Sequence, residues 1–403
     1  ASESNEENGL YKDLLENVDS LYSYDSRNKC NALSLEYRLK GNDKFKQSDY
    51  NGALNWYNKS IRFAEDSEVC LVDIDLAKEA VCPEYVASKL EEYRQTCIEA
   101  LTSDKSSTEE IITVNGEPLV VANTDIYIGD TLVVARPYIR ITTGDECRTC
   151  GIRKMNFIPC ANCVEAMFCD KICADDVFHK IDCKKMLVKD NYCYSKIASC
   201  ILRSVVVAIN SFTTTDELID FVEQIRLTDP KEISEFTESP MHKYKTFFKL
   251  TSDASEEFFT YYRIQGKNIY DTIMSSTDFA DKFETLAKQR FLVHLIFHHA
   301  AIIRANGFSG SSSPPDVDNA TDMQSENPDD FHCNVIFEVS YFNHSCLPNA
   351  FKLSKDGITV IRAIQPIKAG EQIFISYLGR DLIDKESIVR NGELEAEYGF
   401  RCL

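Results

Sequence analysis

The spacing of hydrophobic positions changes several times along the 403 residues of this chain. Up to about residue 105, apolar side chains recur every three or four residues, which is the period of amphipathic helices. The apolar residues then become β-branched and gather in short runs that begin at Ile111, Leu119 and Thr131. Turn residues stand between these runs, at Asn115-Gly116 and Gly129-Asp130. This region therefore predicts short strands.

The strand pattern stops at about residue 146 and returns much later. Residues 184–305 have mostly helical spacing, with Phe247, Phe248 and Tyr262 as predicted core. Residues 307–330 are rich in Ser, Pro and Asp and predict a loop. Strand texture reappears from Val335 to Tyr377. A β-rich domain is therefore predicted to be split around inserted segments.

The helical start of the chain contains one pattern of small and aromatic residues. Gly41, Phe45, Tyr50, Ala53 and Tyr57 stand where the two antiparallel helices of a tetratricopeptide unit pack together. Residues 70–101 again have helical spacing. One repeat does not make a superhelix, because each unit needs neighbours to cover its apolar face. An unrelated helical hairpin therefore remains the alternative.

Composition and charge exclude several classes of protein. The chain is 44% hydrophobic with a net charge of −20, and it contains no apolar run of the roughly 20 residues that a membrane span requires. Its acidic, polar start is unlike a signal peptide, so we expect a soluble protein that is not secreted. The negative charge disfavours nonspecific nucleic-acid binding. A basic, Lys-rich partner fits it better, although the acidity could serve solubility alone.

Cysteine spacing predicts a metal site. The chain has 16 cysteines, and seven of them crowd, with one histidine, between Cys147 and Cys183. The spacing is Cys-x2-Cys-x9-Cys-x2-Cys-x5-Cys-x3-Cys-x5-His-x3-Cys. Eight such ligands satisfy two tetrahedral zinc ions. Because so short a segment cannot fold on its apolar content, the metal would supply the folding energy. The other nine cysteines are scattered along the chain, and we expect them to be reduced thiols.

The order of these ligands resembles the MYND finger, whose two sites interleave. The resemblance implies a first zinc site of Cys147, Cys150, Cys169 and Cys173, and a second of Cys160, Cys163, His179 and Cys183. Neither site leaves a coordination position open, so both ions are expected to be structural. The finger has as many acidic as basic residues, which makes it a poor DNA clamp. The resemblance implies instead that it binds proline-rich peptides.

Two further motifs resemble the C-terminal motifs of SET-domain lysine methyltransferases. They are Asn-His-Ser-Cys-Leu-Pro-Asn at residues 343–349 and Gly-Glu-Gln-Ile-Phe-Ile-Ser-Tyr at residues 370–377. With the finger upstream, the chain is similar to the SET and MYND domain family, in its tetratricopeptide-bearing branch, from about residue 30 to 403. The resemblance implies an α+β multidomain fold: a split β-rich SET domain with an inserted MYND zinc finger and a helical insert, preceded by an α-helical TPR-like region. The predicted boundaries are 1–105 for the helical region, 106–146 for the first SET part, 147–183 for the finger, 184–305 for the helical linker and insert, 306–380 for the second SET part, and 381–403 for a shortened post-SET segment.

The same resemblance assigns residues to the site. Tyr377 would be catalytic, aligning the lysine amine, which must be deprotonated before it attacks the methyl group of S-adenosylmethionine. The predicted cofactor contacts are Asn306, Asn343, His344, Tyr377 and Phe400, and Tyr398 would line the substrate channel. Asn343 and His344 could instead be ordinary turn residues, and Tyr377 could be a core residue at a strand end.

Two departures from the family pattern leave a second reading open. The family has a Gly-x-Gly turn against the cofactor where this sequence has Glu117-Pro118-Leu119, unless Asn115-Gly116 substitutes after a register shift. The family also surrounds a third zinc with cysteines, of which Cys346 and Cys402 are present before the sequence ends at Leu403. Two thiolates do not close a structural site.

The sequence therefore carries two functional hypotheses. The first is an S-adenosylmethionine-dependent protein-lysine methyltransferase with two structural zinc ions, acting on a Lys-containing protein such as a histone. The second is an inactive SET and MYND scaffold or transcriptional adaptor that recruits partners through the finger and the helical repeat. For either we expect a monomer in the nucleus and cytoplasm.

Overall fold

A computed structural model gives the fold of the chain. It describes residues 29, 31–64, 109–114, 117–142, 146–154, 157–164, 166–183, 192–227, 239–250, 256–310, 332–355, 357–379 and 385–402. The predicted helical segment 70–101, the turn at residues 115–116 and most of the predicted loop 307–330 lie outside these residues.

An antiparallel helical hairpin comes first. Helix α1 spans Asn31–Lys46 and helix α2 spans Tyr50–Phe63. The side chain of Asp49 accepts a hydrogen bond from the amide of Gly52 at 2.9 Å and so caps α2. A Cβ atom on Gly41 would lie 2.3 Å from the ring of Tyr57, so the glycine allows the two helices to pack closely. The predicted hairpin packing is confirmed, whereas its membership of a repeat stays a prediction.

Strands from both ends of the chain form the β-rich part. The first four are β1 (Glu109–Val114), β2 (Glu117–Ala122), β3 (Thr131–Ala135) and β4 (Ile139–Thr142). The later ones are β7 (Gly307–Gly310), β8 (His332–Val335), β9 (Asn343–His344), β10 (Ala350–Lys355), β11 (Ile358–Ala363) and β12 (Phe374–Ile375). The sheets have the orders β10-β11-β3, β4-β8-β7, β12-β9 and β1-β2. Because β3 and β4 pair with strands about 200 residues later in sequence, the prediction of a split β domain is confirmed.

The finger lies between β4 and the helical insert. It contains the short strands β5 (Ile158–Pro159) and β6 (Met167–Phe168) and the short helices α3 (Lys171–Ala174) and α4 (Val177–Asp182). Asp170 and Asp176 cap the two helices through backbone amides. So little regular structure in so many residues is typical of a segment held by metal.

Helices make up the insert, as predicted. They are α5 (Tyr192–Asn210), α6 (Thr215–Leu227), α7 (Pro240–Phe248), α8 (Glu256–Met274), α9 (Thr277–Ala280) and α10 (Leu286–Asn306). The core of the insert buries Phe247 and Tyr262 as the sequence predicts, and it continues into β4 and β8. Among the described helices none alone is long and apolar enough to cross a membrane, and only the bent pair Ile197–Asn210 and Thr215–Leu227 passes that test jointly.

A hydrogen-bonded chain of side chains runs through this core. The hydroxyl of Ser204 donates to the carbonyl oxygen of Ile201 at 2.7 Å. It therefore accepts from Nδ1 of His299 at 2.9 Å, which leaves Nε2 of His299 to accept from the hydroxyl of Tyr244 at 3.1 Å. Burial holds the pKa of His299 well below its usual value, so the imidazole is neutral.

The remaining helices lie beside the second half of the β domain. Helix α11 (Phe337–Ser340) joins β8 to β9, and helix α12 (Ser387–Tyr398) follows β12. Gly399 ends α12 in the left-handed region, at φ 74°, with its amide bonded to the carbonyl of Glu395. This turn redirects the chain toward the end of β12.

Candidate functional site

The eight predicted zinc ligands form two clusters. Cys147, Cys150, Cys169 and Cys173 bring their sulfur atoms together, and Cys160, Cys163, His179 and Cys183 do the same with three sulfurs and a ring nitrogen. The Sγ–Sγ distances are 3.6 Å from Cys150 to Cys169 and 3.7 Å from Cys160 to Cys183. Zn–S bonds of about 2.3 Å in a tetrahedron separate sulfurs by roughly 3.8 Å. The donor sets therefore fit two zinc ions, in the interleaved pairing that was predicted.

Local structure presents each ligand. Gly151 adopts φ +72° directly after the first Cys-x2-Cys, and a Cβ there would lie 2.0 Å from the guanidinium of Arg140. The backbone amide of Asn162 lies 3.4 Å from the sulfur of Cys160 and donates to it. Asp170 accepts from the amide of Cys173 at 2.8 Å, which fixes the start of α3. Glycine and the Asp cap are thus what the tight ligand turns require.

A buried carboxylate connects the second zinc cluster to the β domain. Nε2 of His179 faces the sulfur of Cys163 at 3.5 Å, while its Nδ1 donates to Asp182 at 2.8 Å. The other oxygen of Asp182 accepts from Arg148 at 2.7 Å, and Arg148 also donates to the carbonyl of Thr142 in β4 at 3.0 Å. Burial opposes ionisation, but Arg148 and His179 together outweigh it and lower the pKa of Asp182. This arrangement fixes the tautomer and orientation of the ligand histidine.

The helical hairpin and a β turn also contact the finger. Ala53, Leu54 and Tyr57 of α2 belong to one apolar cluster with Phe157 and Met167 of the finger. On the other side, Gly357 joins β10 to β11 at φ +77°, and a Cβ there would lie 2.4 Å from the carbonyl oxygen of Cys150. Packing from two directions makes the finger an integral part of the fold.

The second candidate site lies where β9 and β12 run parallel. Asn343 pairs with Phe374 and His344 with Ile375. Nδ1 of His344 accepts a hydrogen bond from the backbone amide of Tyr377 at 3.0 Å. Burial and nearby Arg390 lower the pKa of His344 to about 4, so its ring is neutral. The two predicted motifs therefore meet in space.

Three aromatic side chains gather at the end of β12. The ring centroids of Tyr377 and Tyr398 are 5.0 Å apart, and that of Phe400 is 6.3 Å from each. His344 completes the cluster, with its ring 5.4 Å from Tyr377 and 5.9 Å from Phe400. The hydroxyl of Tyr377 donates to the carbonyl oxygen of Phe342 at 2.6 Å. Burial and Tyr398 raise the pKa of Tyr377, so its hydroxyl stays protonated.

Asn306 stands at the junction of the insert and the β domain. It is the last residue of α10, is buried, and donates from its side chain to the carbonyl of Ile302 at 2.9 Å. Strand β7 begins at the next residue, and Phe308 packs on the same apolar cluster as Tyr377. The structure thus brings Asn306 to the same cluster of strands, although its cofactor role stays a prediction.

A third group of metal-ligand atoms involves a residue that the sequence analysis assigned to the cofactor. His344, Cys346 and Cys402 place one ligand atom each within 4.8 Å of one another. Nε2 of His344 is 3.3 Å from the sulfur of Cys346. Since Nδ1 accepts from Tyr377, Nε2 carries the proton and donates toward the sulfur. A structural zinc site needs four ligands. This cluster supplies three possible ligands, one more than the two thiols predicted from the sequence.

Two positioning residues were not singled out from the sequence. Asn349, the last residue of the first motif, accepts from the amide of Phe374 at 2.8 Å and donates to the carbonyl of Gln372 at 2.9 Å. Asn391 accepts from the amide of Cys402 at 2.8 Å and so ties the chain end to α12. The motif position of Asn349 was a usable signal, whereas Asn391 carried none.

Residues 117–119, which stand where the family pattern has a Gly-x-Gly turn, form part of a regular strand. They belong to β2 and pair with residues 112–114 of β1, with Pro118 opposite Thr113. Farther along β2, the amide of Ile373 donates to Val120 at 2.9 Å, and the amide of Ala122 donates to Glu371 at 2.9 Å. The hairpin thus lies directly beside the segment that leads to Tyr377.

Comparisons with known proteins agree with these motifs. The SET domain family model matches residues 119–378. The N-lysine methyltransferase SMYD2-B of Xenopus laevis is 23% identical over 282 residues, covering 68% of this chain and 54% of that protein. Human N-lysine methyltransferase SMYD2 is 24% identical over 290 residues, with the same coverage. The chain thus spans about half the length of the curated relatives it matches.

A solved structure matches more distantly. It is the SET domain of LSMT bound to lysine and AdoHcy, with a TM-score of 0.36 and 13% identity, covering 78% of this chain and 57% of that one. The family model spans well over half of the chain, from the β2 hairpin to the residue after Tyr377. This protein therefore belongs to the SET domain family, and the members it resembles are SET and MYND proteins.

Proposed function

We propose that the chain is the zinc-braced catalytic part of an S-adenosylmethionine-dependent protein-lysine methyltransferase. The observation that supports it most is the position of Tyr377. Its hydroxyl bonds to the carbonyl of Phe342, directly before the Asn343-His344 pair, inside a ring of aromatic side chains. A hydroxyl and a carbonyl held side by side are what an amine needs for alignment in a displacement reaction.

The chemistry of the proposed site follows from its walls. The cofactor would supply an electrophilic methyl group, and Asn306, Asn343, His344 and Phe400 are the residues proposed to hold it. The half-buried aromatic rings of Tyr377, Tyr398 and Phe400 would limit the access of water to a bound lysine, which favours loss of a proton from its ammonium ion. The protonated Tyr377 hydroxyl remains available as a hydrogen-bond partner for the incoming amine.

A paired tyrosine experiment tests this proposal. Tyr377→Phe removes one hydroxyl, so kcat for methyl transfer to a lysine peptide should fall about a hundredfold while KM changes little. Tyr127→Phe is the matched control, because Tyr127 is 70% exposed and takes no part in the described ring contacts of the aromatic cluster. Radiolabelled methyl transfer gives the rates, and calorimetric titration gives cofactor affinity. A Tyr377→Phe rate equal to wild type contradicts the assigned role.

One observation favours a second function, a noncatalytic scaffold. Residues 117–119 continue a regular strand where the family has its Gly-x-Gly turn, and a glycine turn is what lets a backbone approach a ligand closely. Wild-type protein that gives no heat with millimolar S-adenosylmethionine would favour the scaffold over the enzyme.

We also propose that the finger binds proline-rich peptides. Ile158, Ile172 and Val177 expose 44%, 87% and 47% of their surfaces on the finger, and apolar side chains in this position suit a partner of that kind. Titration of a proline-rich peptide should show binding that Ile172→Asp weakens at least tenfold, and equal affinity for both proteins would oppose this role. A histone substrate and a nuclear and cytoplasmic location remain proposals on the same footing.

A further inference from the structure

An unusual lysine lies on the inner face of strand β10. Phe351 and Leu353 on either side of Lys352 point outward, with 36% and 45% of their surfaces exposed. Lys352 faces the other way and pairs in register with Ile361, which is fully buried. An amine therefore occupies a position where the strand pattern calls for an apolar side chain.

The amine of Lys352 rests on an aromatic ring. Its Nζ lies 3.5 Å from the ring centroid of Phe308, and Phe308 packs on the apolar cluster that Tyr377 and Tyr341 also contact. Burial lowers the pKa of Lys352 to about 7, with no carboxylate among the described residues compensating for it. Within the described residues, the contact with the Phe308 ring is what stabilises the charged form of this amine at the edge of the candidate site.

A second buried polar group lies on the strand next to the one that carries this ring. Asn334 of β8 pairs in register with Phe308 of β7, so the two side chains share one face of the sheet. Asn334 is fully buried, and both its Oδ1 and Nδ2 atoms lack a hydrogen-bond partner within the described part of the chain. Its neighbour on the other side, Arg140 of β4, is already paired with Glu146 at 2.6 Å.

Buried polar groups are nearly always hydrogen-bonded, and the exceptions often mark the place of a ligand or water. Here Lys352 rests on the ring of Phe308, two residues after Asn306, and Asn334 pairs in register with Phe308. Lys352 supplies N–H donors and, when protonated, a positive charge, and Asn334 supplies another N–H donor. A carboxylate is a ligand that accepts from the N–H donors of both groups, with Phe308 as an apolar wall for the carbon chain behind it.

We propose that Phe308, Asn334 and Lys352 form a subsite for an acidic side chain of the protein substrate, so that the preferred target lysine has an Asp or Glu nearby in its sequence. This inference rests on the proposed methyltransferase function. The net charge of −20 repels a uniformly acidic peptide. The expected ligand therefore carries one carboxylate close to the target lysine, and this subsite sets the specificity.

Direct binding tests the subsite independently of catalysis. Fluorescent short peptides carry one central lysine and a single glutamate at each of the flanking positions in turn, and a matched set carries glutamine. Fluorescence anisotropy should show that wild-type protein binds at least one glutamate peptide about tenfold more tightly than its glutamine counterpart. Lys352→Met should bring that ratio close to one, and Lys352→Glu should reverse it.

Two further variants serve as controls. Lys368→Met removes an equal charge from an exposed lysine that pairs with Asp125, and it should leave the glutamate preference intact. Asn334→Leu should reduce the preference without reversing it. Because Lys352 occupies an inward-facing strand position opposite the buried Ile361, Lys352→Met should fold at least as well as wild type, which a melting curve checks.

The outcomes of these experiments distinguish the subsite proposal from the proposed methyltransferase function on which it rests. A wild-type protein with no glutamate preference, or a preference that Lys352→Met leaves unchanged, overturns the subsite even if methyl transfer is observed. A glutamate preference that depends on Lys352 supports the subsite even if no methyl transfer is found, in which case only the enzymatic proposal fails.

Discussion

Replacing Asp182 with asparagine should weaken the binding of one of the two zinc ions and leave the affinity for the other unchanged. Asp182 bridges the zinc ligand His179 and the guanidinium of Arg148, and the Asp182 and Arg148 side chains are only 7% and 9% exposed. The asparagine side chain would keep an oxygen for Nδ1–H of His179. Its amide nitrogen would then face the donors of Arg148, which leaves a buried cation without its counter-charge.

The expected magnitude follows from these contacts. Loss of such an outer partner costs about 10- to 100-fold in metal affinity. Breaking a buried ion pair from one side costs about 3–5 kcal/mol. We therefore expect Asp182→Asn to lower the unfolding free energy by at least about 3 kcal/mol. It should also weaken only the cluster of Cys160, Cys163, His179 and Cys183. Among the described residues, the side chain of Asp182 bonds to Arg148 and His179 and to no ligand of the other zinc cluster.

The assay is a chelator competition with a chromophoric zinc indicator, run beside a melting curve. Wild-type protein should release both ions slowly, and Asp182→Asn should release one equivalent in an early, separate phase. Asp175→Asn is the matched control, since Asp175 is exposed on the same finger. Zinc release from Asp182→Asn that matches wild type in rate and amplitude would refute the reasoning.

Two more measurements test the helical parts of the chain. Gly41→Ala should destabilise the protein by about 1–3 kcal/mol, because its Cβ would meet the ring of Tyr57 at 2.3 Å. Gly392 has open space around it, so Gly392→Ala should instead stabilise helix α12 by up to about 1 kcal/mol. Equal melting temperatures for the two variants would count against this packing. For His299, burial lowers the folded pKa below the unfolded value of about 6.5, so the stability it contributes is present above that pH and is lost as the pH falls. The difference in unfolding free energy between wild type and His299→Gln, measured by chemical denaturation, should therefore shrink from pH 7.5 to pH 5.5. A difference that stays constant over this range would contradict the lowered pKa of His299.

Much of the site could be predicted because its signals are local in sequence. Zinc ligands often occur in pairs three or four residues apart, so the spacing predicted eight ligands for two zinc ions. The resemblance to the MYND finger then implied the interleaved assignment that the two clusters have. The motif around Asn343 and His344 likewise predicted the meeting with Tyr377, because both motifs sit at strand ends. The hairpin of α1 and α2 was legible from Gly41 and Tyr57.

What could not be predicted depends on register between distant strands. Asn334 and Lys352 look like ordinary strand residues until β8 is aligned with β7 and β10 with β11. The ion pair of Arg148 and Asp182 joins residues at opposite ends of the finger, and an arginine in a metal-binding loop has no spacing rule of its own. His344 beside Cys346 and Cys402 required the fold of the chain end, which Gly399 and Asn391 determine.

The bond from Arg148 to the carbonyl of Thr142 has a consequence for genetics. Arg148 belongs to the finger, and its side chain also donates a hydrogen bond to strand β4. Deleting the finger would therefore remove a contact that stabilises β4. The phenotype of such a deletion would then come from a destabilised β domain. It would be misinterpreted as the loss of a binding partner of the finger. Point changes on the exposed rim, such as Ile172→Asp, separate the two causes.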